Sequence, residues 1–143
     1  MVLAKILMLS KVLFGVFLGR VARGEEINIW GDGEVVRDYV YITDAADALI
    51  KAAKCKINNN QSRILNIGSG QGHSLNEIVK VMKSTIDAPL KIKYLPARDL
   101  DVPKNVLDIS AAEEVLGWTP TTELSEGIDQ AWKWIKSLDL TRN

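Results

Sequence analysis

The sequence predicts an α/β fold in which short strands alternate with short helices. Three observations carry that prediction. Two apolar runs, Ile27–Trp30 and Arg63–Ile67, each end in a glycine-rich turn. Two Ser-x-x-Glu sequences, Ser74–Glu77 and Ser110–Glu113, have the form of a helix capping box. Apolar residues then recur at helical spacing, as in Leu75, Ile78, Val79, Met82 and Ile86 and again in Leu124, Ile128, Ala131, Ile135 and Leu138.

Taken in chain order, residues 1–24 read as an apolar amino-terminal helix closed by Arg20, Arg23 and Gly24, with the rest of the chain, 25–143, forming a ligand-binding portion. Lys5, Lys11 and Arg20 interrupt this segment too often for a membrane span, which needs ~20 consecutive apolar residues. A small-x-small cleavage site is also missing, so export is not expected. Ile27–Trp30 reads as a strand, Gly31-Asp32-Gly33 as a turn, and Val35–Ile42 as a second strand rich in β-branched and tyrosine residues. Thr43 or Asp44 would cap a helix over Ala45–Lys56, and Asn58–Ser62 would be a polar loop.

Arg63–Ile67 is then a strand followed by the turn Gly68-Ser69-Gly70-Gln71-Gly72-His73. A strand, glycines and a helix together resemble a dinucleotide fingerprint, but the third glycine position is His73, so the glycines serve a tight turn into the helix 74–87. His73 reads as a solvated loop residue. Leu90–Leu95 is a half-exposed strand, and Pro96–Pro103 a charged loop stiffened by its prolines. A strand at Val106–Leu107–Asp108, a helix from Ser110 to the stop at Gly117, and a last helix over 124–138 complete the chain, with Trp132 and Trp134 expected to pack.

Composition narrows the function classes. Hydrophobic residues at 47% and charged residues at 25% belong to a globular protein. Eighteen basic residues balance eighteen acidic ones, which removes a global field for nucleic acid or an anionic membrane and requires any anion to be held locally. One cysteine and one histidine exclude an internal disulfide and a cysteine or histidine metal cluster, and suit a reducing, cytoplasmic compartment. No nucleophile–base pair stands out. The residues that could do chemistry are Arg37, Arg98 and Asp101, with Trp30 and the Gly-Asp-Gly turn beside them. Two arginines on separate segments can clamp a diphosphate, because guanidinium offers paired donors and keeps its charge. On the residues alone the other reading stays open, namely surface salt bridges of Arg37 with Asp38 and Arg98 with Asp99.

The succession GDGEVVRDYVYITD, LNIGSGQGHSLNEI, PARDLDVP, VLDISAAEEVLGWTP and LSEGIDQAWKWI resembles the carboxyl-terminal half of NAD-dependent sugar-nucleotide epimerases and dehydratases, the extended short-chain dehydrogenase/reductase family, and most of all UDP-glucose 4-epimerases. The likeness runs from about Arg20 to Ile135. It implies the substrate-binding portion of that fold without its main dinucleotide-binding domain. It implies that Arg37 and Arg98 bind the diphosphate of a UDP-sugar, that Asp101 contacts the ribose, and that the backbone of Asn28–Trp30 lies along the uracil. A dTDP-sugar or a uronate remains an alternative substrate class.

The family's cofactor is NAD, and its base is the tyrosine of a Tyr-x-x-x-Lys pair. Here Tyr39, Tyr41 and Tyr94 are followed four residues on by Thr43, Ala45 and Arg98. The expectation is therefore a chain that binds a UDP-sugar, binds no NAD by itself, has no catalytic residues of its own, and is an incomplete enzyme when alone. Complementation by a separate NAD-binding chain and a non-catalytic interaction role are the alternatives. Without the family's other half, the strand at 63–67 would be an open edge and the first helix uncovered, so self-association or pairing with another polypeptide is expected.

Overall fold

The computed structural model describes residues 2–6, 9–56, 63–97 and 102–138. The loop Asn58–Ser62 and the pair Arg98 and Asp101 lie outside the described residues. The elements are β1 (Val2–Ile6), α1 (Leu9–Ala22), β2 (Glu26–Trp30), β3 (Val36–Asp38), α2 (Ile42–Lys54), β4 (Arg63–Ile67), β5 (Gly72–Ser74), α3 (Leu75–Thr85), β6 (Lys91–Leu95), β7 (Lys104–Asn105), α4 (Ser110–Leu116) and α5 (Leu124–Ser137). The strands make three small sheets: parallel β1–β4, parallel β2–β6, and the mixed sheet β5–β3–β7.

The amino-terminal segment differs from the helix expected over 1–24. Residues 2–6 are a strand, in register with β4 from Val2↔Arg63 to Ile6↔Ile67. The edge of β4 that the sequence left open is thus paired within the chain, which satisfies a row of backbone groups that no side-chain pattern reveals. Nor is α1 wholly uncovered, although Val16 stays 46% exposed. Phe17, Leu18 and Val21 are buried in one core with Ile27, Ile29, Ile78, Met82, Ile128 and Trp132, and α1 packs on β2 and α5. The helix stops in a Schellman motif: Gly24 has φ 70°, its N–H donates to the Val21 carbonyl at 2.9 Å, and the Glu25 N–H donates to that of Arg20 at 2.9 Å.

A second core gathers Ala45, Ala48, Leu65, Ile67, Ala112 and Trp118 between α2, β4 and α4. Trp118 is 1% exposed, and its Nε1–H donates to the Asp44 carbonyl at 3.0 Å. Asp44 is not the helix cap. The helix begins earlier, at Ile42, behind a Tyr41 that caps without a side-chain bond. The Asp44 carboxylate is buried instead, where it accepts from Thr121 N, Thr121 Oγ1 and Thr122 N. One side chain so fixes the connector between α4 and α5 to the start of α2.

The strand expected over Val35–Ile42 contracts to the three residues of β3. The strand expected at Val106–Asp108 is instead β7, because Val36 N–H donates to the Pro103 carbonyl at 2.9 Å and sets the pairs Val36↔Lys104 and Arg37↔Asn105. The first capping box forms as expected, with Ser74 Oγ accepting from Glu77 N and the Glu77 carboxylate from Ser74 N. The second does not. Ser110 is already inside α4, and its N–H donates to Asp108 Oδ1 at 3.0 Å, an Asx turn that takes over the entry to the helix. Gly117 closes α4 in the left-handed region at φ 58°. Trp132 is buried as expected, whereas Trp134 is 62% exposed.

Candidate functional site

The Gly31-Asp32-Gly33 turn is held by β6 and by α3. Gly31 N–H donates to the Leu95 carbonyl at 2.9 Å. Asn76 of α3 donates its N–H to the Gly33 carbonyl at 3.1 Å and its side-chain amide to the Asp32 carbonyl at 2.9 Å, while Tyr94 of β6 donates its hydroxyl to Asn76 Oδ1 at 2.7 Å. Gly33, at φ 81°, leaves the space that a Cβ would take to the Asn76 amide. The turn delivers the chain into β3, and with it Arg37.

Strand alternation sends Arg37 and Asp38 of the Arg-Asp-Tyr sequence to opposite faces, while Tyr39 lies beyond the end of β3. Arg37 Nη1 donates to the carbonyls of Val36 at 2.8 Å and Val102 at 2.6 Å. Asp38 turns to the opposite face, where its carboxylate accepts from Ser69 N and Ser69 Oγ, each at 2.6 Å, from Gly70 N at 3.0 Å and from Leu107 N at 3.2 Å. The Arg37–Asp38 salt bridge that the sequence left open therefore does not form. Tyr39 runs into the core, its ring edge-on to Phe14 with centroids 5.2 Å apart. Burial pushes its phenol up to about 12, against the opposing pull of Arg37, and its hydroxyl is enclosed without a hydrogen-bond partner.

Two of the five expected ligand residues, Arg98 and Asp101, lie outside the described residues, but both ends of their loop are placed. Ala97 lies against the Gly31 turn, 3.6 Å from the position of a Cβ added there. Val102 offers its carbonyl to Arg37. The PARDLDVP segment thus leaves the Gly31 turn and returns at Arg37. Asn28 and Trp30 stand on the face of β2 opposite the buried Ile27 and Ile29, and Trp30 leads directly into the same turn.

The glycine-rich turn is not a pyrophosphate cradle. The Ser69 and Gly70 amides, which such a cradle would aim at an anion, are spent on Asp38. Gly68 is needed for that approach, since a Cβ there would fall 2.7 Å from Asp38 Oδ2. The residues of this turn do not fit a dinucleotide. Among the described residues no group of three or more His, Cys, Asp or Glu could hold a metal, and no helix is long and apolar enough to cross a membrane.

A cleft of about 640 Å³ opens elsewhere, between α1, the Tyr39–Ile42 stretch and α5, lined by Phe14, Leu18, Leu124, Ile128 and Trp134 among others. Its lining is mostly apolar, with Thr122 and Glu123 but no cationic side chain, so the anion chemistry is argued from Arg37 rather than from this cleft. Sequence reasoning missed Asp38 as the tie between β3 and the glycine turn. It also missed His73, which lies in β5 and not in a solvated loop, directly across from Arg37. Both depend on pairing between distant segments, for which the sequence around each residue offers no local signal.

Comparison with known proteins identifies relatives of the chain. A family model described as "NAD dependent epimerase/dehydratase family" matches residues 10–68. A UDP-glucose 4-epimerase of Rhizobium leguminosarum bv. trifolii is 35% identical over 103 residues, covering 72% of this chain and 32% of its own length. The UDP-glucose 4-epimerase of Thermotoga maritima, solved with UDP-glucose, superposes with a TM-score of 0.77 at 37% identity, over 86% of this chain and 38% of that one. The UDP-glucose 4-epimerase of Stenotrophomonas maltophila, solved with NAD and formylated UDP-arabinopyranose, gives 0.79 at 30% identity over 87% and 39%. The chain spans about a third of the length of the curated relatives it matches.

Proposed function

The chain belongs to the NAD dependent epimerase/dehydratase family, and from that membership we propose that the Gly31–Gly33 turn, β3 and the 96–103 loop form the diphosphate-binding wall of a UDP-sugar site of the 4-epimerase type. The supporting observation is the state of Arg37. Its guanidinium is fixed through Nη1 to two backbone carbonyls, and no carboxylate among the described residues neutralises the charge so oriented. An oriented guanidinium is suited to a phosphate, to which it offers paired, charge-assisted donors.

In this reading Arg98 is the opposing guanidinium, Asp101 accepts from the ribose hydroxyls, and the Asn28–Trp30 backbone follows the uracil. These residues bind and orient. NAD, where present, supplies the hydride acceptor, and the base that works with it must share the site. The tyrosines of this chain lack the lysine four residues on, so the chain alone binds a UDP-sugar without epimerising it.

Titration calorimetry with UDP-glucose tests the proposal. Wild-type chain should bind. Arg37→Ala or Arg98→Ala should each cost about 2–3 kcal/mol, because each removes a charge-assisted hydrogen bond from a site built around it; that is about 30- to 150-fold in affinity. Absence of any wild-type binding heat removes the reading. The same titration with UDP-arabinose, UDP-glucuronic acid and a dTDP-sugar ranks the substrate classes.

A further inference from the structure

Arg37 is the centre of a three-residue row across the sheet β5–β3–β7. His73 is its direct antiparallel partner and Asn105 its parallel one. Direct antiparallel partners leave a sheet on the same face with Cβ atoms about 4.5–5.5 Å apart. The other face is filled by Val36 and Asp38, and packing there is tight enough that a Cβ on Gly72 would fall 2.6 Å from Val36 Cγ1. His73 is the only histidine of the chain. Its side chain is 27% exposed, with Nδ1 at 3.9 Å from Glu77 Oε2. That carboxylate is committed to the helix cap, where it accepts from Ser74 N at 2.8 Å.

An imidazole directly across from a guanidinium is unfavourable when both are charged, and an anion placed over the pair reverses the sign. We propose that His73 is a second binding residue of the phosphate site, donating through its ring to the diphosphate that Arg37 holds. The inference rests on the UDP-sugar reading. A neutral ring brings one N–H to the ligand, and a protonated ring brings two and a positive charge. Among the described residues the charged groups facing His73 are Arg37 from β3 and Glu77 from α3, while β7 contributes the uncharged Asn105. Acidification therefore adds a cation beside the diphosphate, and binding tightens.

UDP-glucose is the suitable probe, because its diphosphate is esterified at both ends and takes up no proton in the range where histidine titrates. Calorimetry on the full chain at about pH 8 and about pH 6 should show wild-type binding about three- to tenfold tighter at the lower pH. His73→Ala should weaken binding about three- to tenfold at the higher pH. His73→Gln, which keeps an N–H donor but cannot be protonated, should restore most of that loss and none of the acid gain. Wild-type affinity that ignores pH, or an acid gain that survives in His73→Gln, overturns the proposal while leaving the UDP-sugar reading intact if Arg37→Ala still weakens binding about 30- to 150-fold. No UDP-glucose binding at either pH would instead overturn both.

Discussion

Asp38→Ala is expected to destabilise the fold more than any change to its neighbour Arg37. The carboxylate serves four donors on two segments, Ser69 N, Ser69 Oγ, Gly70 N and Leu107 N. Three of them are backbone amides that no secondary structure satisfies. Gly68 is shaped to the carboxylate, and alanine at 38 leaves that shape empty. An unpaired buried amide costs about 1–3 kcal/mol, and half-buried ones recover part of this from water, so about 1 kcal/mol for each amide gives about 3 kcal/mol in total. That is a large fraction of the ~5–15 kcal/mol that holds a domain together. Asp38→Asn keeps one acceptor oxygen and should cost about half as much. Urea unfolding followed by tryptophan fluorescence would measure both. Arg37→Ala in the same assay should shift stability by less than about 1 kcal/mol, since its two bonds go to a carbonyl in its own strand and one on a loop. An Asp38→Ala midpoint within the error of wild type would refute the claim that this carboxylate joins β3 to the glycine turn and to the segment after β7.

Two further outcomes are expected. Asp87 has its carboxyl held below the usual value of 3.8, first by the Trp132 indole and then by Lys136; a depressed folded-state value means stability that is present above 3.8 and lost as pH falls through the lower folded value, so Asp87→Asn should flatten the acid limb of a thermal-melt series below pH 4 and cost only a weakened surface interaction near neutrality. The exposed apolar residues Leu49 and Ile50 of α2, at 43% and 52%, should drive association, so that Leu49→Lys with Ile50→Lys shifts sedimentation toward monomer; a wild-type chain that sediments as a monomer with no dye-binding apolar surface would count against a partner on that face.

How much of this was legible in the sequence depends on how far apart the interacting residues lie. The Ser74–Glu77 box could be read because both partners sit within one turn, and the same holds for the glycine stops at Gly24 and Gly117. The amphipathic stripes of α3 and α5 were legible for the same reason. The Ser110–Glu113 box has the same letters but fails, because Asp108 captures the Ser110 amide first and a pattern of two letters does not record competition from a third. The tie from Asp38 to Ser69 spans 31 residues and that from Asp44 to Thr122 spans 78. A lone aspartate before a helix reads as a cap whether its donors are local or remote. Strand pairing was equally hidden: nothing in Val2–Ile6 names Arg63–Ile67 as its partner, and an apolar run of that length is ambiguous between helix and strand.

The candidate site follows the same division. Arg37 could be singled out because a cation is unusual at the mouth of an apolar strand, but whether it was a phosphate anchor or half of a surface ion pair depended on Asp38, the very next residue. A period of two settles that choice physically: in any strand, neighbours cannot share a face, so an Arg-Asp pair inside β3 was barred from closing on itself once the segment was extended. The same period brings His73 to Arg37, since residues that face each other across an antiparallel pair share a side however far apart they lie in sequence. The short β3 therefore separates two tasks that the letters place side by side. Its even face, with Val36 and Asp38, secures the glycine turn and the entry to α4, and its odd face presents a guanidinium and an imidazole to whatever anion the site receives.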